Sequence, residues 1–185
     1  MRFIIGAILS AVLLFFWGFY YWTINPMASQ IIQPVPNDAA LVGEMTNLIG
    51  KSGVYYMPPM PTDENNADLM AEFTERHEAG PIARIFYRHE GATPMDPMTM
   101  LKGFLHGLLV SVLAGLILLA ASPNSYPNRV MLIFWVGVFT AVWTQLSNNI
   151  WWYYPMNYCL LEMGYYIVGA LLIGLAMGAF VRPAA

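Results

Sequence analysis

Three ionisable side chains stand in stretches that are otherwise apolar: Lys102, His106 and Glu162. A charge inside a bilayer is costly unless it is paired or reaches water, so such groups are the first candidates for proton or ion handling. At about 1.5 Å of helix rise per residue, Lys102 and His106 lie roughly one and two turns into the apolar run that follows Asp96 and Pro97. Glu162 lies at a similar depth in the last apolar run, and Thr144, Gln145 and Asn148, with Asn149 beside them, bring amides and a hydroxyl to the same level. These residues are read as one intramembrane polar cluster, with Lys102 or His106 as the partner of Glu162. The chemistry open to it is a proton or ion site, or a pocket for a quinone or lipid headgroup. A structural role is open to the same residues: Lys102 reaches up to the interface, and Glu162, paired with it or with Tyr165, fixes helix rotation. No polar residue continues a route through the remaining thickness.

A second set consists of soft ligands. Met57, Met60, Met95, Met98 and Met100 are closely spaced, and His77 and His89 fall in the same polar segment. Thioether and imidazole groups favour Cu(I), so these seven side chains are the candidate metal ligands. Methionine is also flexible core filler, and thirteen methionines spread along the chain fit that use as well. No cofactor is expected apart from the Cu(I) alternative. A third set, Glu64, Asp68, Glu72 and Glu75, recurs at three- and four-residue steps and shares one helix face. Without the ligand order of a calcium loop it reads as a solvated face. The sequence contains no HExxH, no glycine-rich phosphate loop and no GxSxG, which favours a non-enzymatic protein. The single cysteine, Cys159, excludes an internal disulfide.

The elements that carry these groups are mainly membrane helices. Of the 185 residues, 58% are hydrophobic and 10% are charged, against about 25% charged in a soluble domain. Ten of the eleven acids lie between Asp38 and Asp96, so the net charge of −3 belongs to one polar segment. No basic stripe accompanies them, and nucleic acid is not expected as a partner.

Residues 3–24 read as a first span that is retained and not cleaved as a leader, since the run is long and no small-x-small site follows it. It closes in the aromatic belt FFWGFYYW and stops at Asn25-Pro26. Spans over 98–121, 129–147 and 157–181 follow, the second entered through an Asp96 cap with Pro97 at the first helical position. Ser147 to Tyr154 is expected to be an interfacial connection. Gly103, Gly107, Ser111 and Gly115 fall every fourth residue in the second span, and Gly174 and Gly178 repeat the spacing in the fourth, which suits close helix packing.

Between the first and second spans, residues 25–97 alternate helix, strand, helix and strand signals. The helices follow Asn37-Asp38 and cover residues 67–79; the strands are SGVYYM and IARIFYRH. About seventy residues give a marginal core, so this unit is expected to lean on the membrane helices or on a partner. The fold class is therefore a membrane all-α bundle of four transmembrane helices with a small α+β extracytoplasmic domain inserted between the first two.

The segments FFWGFYYWTINP, SGVYYMP and GPIARIFYRHEGATPMDPMTMLKGFL resemble a type of small bacterial inner-membrane protein, over roughly Trp17 to Leu105. The resemblance implies four spans and an outward domain, and brings no activity, cofactor or catalytic residue with it. Arg2, Arg129 and Arg182 fall on one side by the positive-inside rule, so both termini are expected in the cytoplasm of a bacterial inner membrane, with residues 25–97 outside. The function expected is an accessory or scaffolding subunit of a larger membrane assembly, in contact with lipid and with other membrane subunits.

Overall fold

The computed structural model describes residues 1–181; Arg182, the third of the basic residues expected to mark one side, lies outside them. The chain is mostly helical, and four helices are long and apolar enough to cross a membrane. It divides into two compact units, one built from Met1–Gln33 and the chain from Pro94 onward, the other from Pro34–Thr93.

In the first unit, α1 (Arg2–Phe19) runs on through a π-helical turn at Tyr20–Ile24, closed by the Asn25 amide donating to the Tyr20 carbonyl at 2.9 Å. A short helix, α2 (Pro26–Ile31), follows, with the Asn25 side chain capping it. Sequence patterning did not anticipate α2, and the second compact unit accordingly begins at Pro34, later than residue 25. The cause is local packing: Ala28 is buried with Tyr21 and Leu161, and Trp17, Trp22 and Tyr165 pack around them.

The helix α5 (Pro97–Ala121) starts with the Asp96 carboxylate accepting from the Thr99 amide and Pro97 in the first turn. The helix α6 (Tyr126–Trp152) is longer than expected at both ends. Ser125 caps it with Pro127 in its first turn, and the SNNIWW stretch is helical, so no interfacial connection occupies residues 147–152. Tyr153, at left-handed φ 57, ends it, and α7 (Met156–Phe180) returns across the bundle.

Three interfaces hold this unit together: α6 lies along α7, and α1 packs against both α5 and α7. Leu118, Met177, Ile133 and Ile173 form the core where they meet, with Ala7, Ala114 and Ala170 letting the backbones close in. Two bonds to helix carbonyls secure the aromatic end. Tyr21 Oη donates to Leu161 O at 2.7 Å, and Trp17 Nε1 donates to Tyr165 O at 3.1 Å.

The second unit contains α3 (Asp38–Leu48), β1 (Gly53–Met57), α4 (Ala67–Ala79) and β2 (Ala83–Tyr87). The strands pair antiparallel, with Gly53 opposite Tyr87 and Met57 opposite Ala83. Both helices start at asparagine caps. Asn37 accepts from Ala40, and Asn66 accepts from Asp68 and Leu69. Pro58 is the sole buried residue of the unit. The cross-strand pair Val54 and Phe86 remains 58% and 66% exposed.

Candidate ligand cleft

Close approach of the helices depends on residues without bulk. A Cβ placed on Gly137 would collide with the Ala170 methyl, and one on Gly174 would come within 2.9 Å of the Val130 carbonyl oxygen. Gly107 is set against the Ala11 backbone, while Gly115 faces Phe3 and Met177. Ser111 is fully buried and returns its hydroxyl to the Gly107 carbonyl at 2.8 Å. Gly178 takes part differently, through its carbonyl, which accepts from Arg129 Nε at 2.8 Å. Gly103 meets nothing within 4 Å.

Gly103 is open because α5 and α6 barely touch. Both lean on the α1 and α7 layer, and a cleft of about 630 Å³ remains between them. Its floor comes from α1 and α7, through Leu14, Gly18, Gly169 and Ala170. Toward the Pro97 end of α5 the lining carries His106, Thr140, Tyr165 and Tyr166, together with Phe15 and Phe19. Toward the Ala121 end it is wholly aliphatic, with Val110, Leu113, Ile117, Ile133 and Ile173.

The polar groups read from the sequence divide. Lys102 and His106 are both exposed, and His106 alone of the two lines the cleft. Glu162 pairs with neither. Tyr158 Oη donates to its Oε1 at 3.0 Å, and Tyr166 bonds the same carboxylate. In place of the expected partners, tyrosines one turn away on either side of Glu162 in α7 hold its carboxylate. Thr144 returns its hydroxyl to the Thr140 carbonyl at 2.8 Å, and Asn149 Nδ2 donates to Tyr154 O at 2.7 Å. The Asn148 carbonyl accepts from the Tyr154 amide. Gln145 is buried at 5% exposure, and its Oε1 has no hydrogen-bond partner among the described residues.

The soft ligands are distributed over both units. Met57, Met60, His77 and His89 belong to Pro34–Thr93, and Met95, Met98 and Met100 to the membrane unit. His77 Nε2 lies 3.4 Å from Tyr56 Oη, and His89 Nδ1 lies 3.1 Å from Tyr87 Oη. Among the described residues no three His, Cys, Asp or Glu side chains converge as a metal site.

No family model, curated protein or solved structure matches this chain. What the cleft can do therefore rests on its own lining. It offers hydrogen-bond donors and acceptors at one end, aromatic walls beside them and hydrocarbon beyond, which suits binding. Sequence patterning missed Thr140, Tyr166, Phe15 and Phe19 as lining. In a helix apolar on every side, nothing in the spacing distinguishes a cleft from lipid.

Proposed function

We propose that this chain is a non-enzymatic accessory or scaffolding subunit of a larger membrane assembly, anchored by four spans and presenting the Pro34–Thr93 unit to a partner. One observation carries the reading: that unit has apolar side chains and no core of its own. Leu48, Val54 and Phe86 are exposed, and a two-stranded ribbon needs a covering layer for stability. Exposed apolar patches of this kind mark interaction surfaces. The site of action proposed is a bacterial inner membrane, with both termini cytoplasmic and residues 25–97 outside. Two features support the orientation. Arg2 and Arg129 lie at one end of the bundle, where Gly6 meets Phe180 and Arg129 bonds Gly178; the chain leaves for the insert from the other end.

Extraction of the full chain from native membranes in mild detergent, followed by sizing and identification of co-purifying proteins, tests this. A stable complex that Val54→Asp with Phe86→Asp releases is the expected result. A monodisperse monomer with nothing bound overturns it.

A further inference from the structure

The cleft between α5 and α6 has a shape that selects its occupant. Its α5 wall runs from Met100 to Ile117, about 26 Å at 1.5 Å per residue. A volume of about 630 Å³ over that length leaves a mean cross-section of about 25 Å², a width of about 6 Å. A helix with side chains is about 10–12 Å across and does not fit inside. A single hydrocarbon chain, about 4 Å thick at carbon contact distance, does.

The lining then selects the head. The polar groups are confined to one end, where His106, Thr140, Tyr165 and Tyr166 face the space, and Phe15 and Phe19 wall it. No Lys, Arg, Asp or Glu lines it, so a phosphate or carboxylate would find no fixed countercharge. A planar ring bearing carbonyls is served better. Aromatic side chains stack on its faces, and the His106 imidazole donates to its oxygens. His106 makes no hydrogen bond or ion pair among the described residues, although it lies about nine residues, roughly 14 Å, inside α5. A titratable group at that depth needs a partner, and the open space at Gly103, one turn away on the same wall, gives a ring room to reach it.

We propose that this cleft binds one isoprenoid quinone, its ring between His106 and the Tyr165–Tyr166 wall and its tail along the aliphatic end toward Ile117. The site is independent of the accessory role, since a monomeric chain would bind as well as an assembled one.

The test uses the full chain in phospholipid nanodiscs with a photoreactive decyl-tailed benzoquinone. Labelling is expected to saturate, to map to cleft residues of α5, α6 or α7, and to be displaced by unlabelled decyl-benzoquinone but not by oleate at the same membrane fraction. Gly103→Leu puts bulk into the open space, where a Cβ meets nothing within 4 Å, and His106→Leu removes the head contact; each is expected to weaken saturable labelling at least tenfold with the helical melt retained. Labelling that does not saturate, that oleate displaces equally, or that both variants leave unchanged overturns the proposal.

Discussion

Tyr158 Oη donates to Oε1 of Glu162 at 3.0 Å, one turn earlier on α7, so the one acid within the spans is held by its own helix. A hydrogen bond to a carboxylate contributes about 1.5–3 kcal/mol. Here the lower end applies, because Tyr166 bonds the same group.

A double-mutant cycle of Tyr158→Phe with Glu162→Gln, read from unfolding in mixed micelles, should therefore give a coupling of about 1.5 kcal/mol. Lys102→Met is expected to change stability by less than about 0.5 kcal/mol, as surface substitutions do. Coupling between Lys102 and Glu162 larger than that between Tyr158 and Glu162 would sink this account.

The small residues separate into two kinds by what surrounds them. Gly137 and Gly174 face helix backbone or an alanine methyl that cannot swing away, so Gly137→Ala and Gly174→Ala should each lose about 1–3 kcal/mol through overpacking. Gly103 and Gly43 meet nothing within 4 Å, and alanine there should add about 0.5–1 kcal/mol of helix propensity. Thermal melts of the four variants in one detergent check the contrast; equal losses at all four positions would contradict it.

Some of this was legible beforehand. Asn66 before the acidic helix and Gly80 after it bound α4 at the residues expected, because caps and left-handed stops are local chemistry. The Asp96 cap placed the start of α5 for the same reason. The ends of α6 were not legible. Ser125, Pro127 and the SNNIWW amides resemble turn chemistry, yet the chain continues helical because α7 lies alongside. The partner of Glu162 and the gap between α5 and α6 were hidden for a further reason. Lipid tails are as apolar as leucine, so nothing in the order of residues separates a face against protein from a face against lipid.

Arg129 shows how a residue read for topology has a second task. Its Nε donates to the carbonyl of Gly178 in the last turn of α7, at 2.8 Å, and the side chain is buried. A cation at a helix C-terminus is favourable to the dipole as well as to the unpaired carbonyl. Arg129→Met should destabilise the α6 and α7 pair by about 1.5–3 kcal/mol, the range for a charge-assisted bond. Arg129→Lys should recover part of it. Hydrogen exchange localises the effect: faster exchange is expected in the last turns of α7 and not at its Pro155 end. Uniform exchange along α7 would show that the bond does not hold that terminus.

In the Pro34–Thr93 unit, one hydroxyl links the two strands. The Ser52 hydroxyl accepts from the His89 amide and donates to Glu90 Oε2, both at 2.8 Å. The Ser52 bond, followed by a backbone bond, holds the Glu90 carboxyl below its ordinary value of 4.5; slight desolvation opposes them, and His89 and Arg88 add to the lowering. A depressed carboxylate pKa stabilises the folded form above the unfolded value and stops doing so as pH falls through the folded one. Glu90 should thus support the unit fully at neutral pH and progressively less as pH falls below its ordinary value of 4.5. Side-chain carboxyl titration by NMR on the full chain measures this. Ser52→Ala should return Glu90 toward its ordinary value and flatten its share of the acid dependence. A Glu90 titration that Ser52→Ala leaves unmoved would assign the lowering to His89 and Arg88 instead.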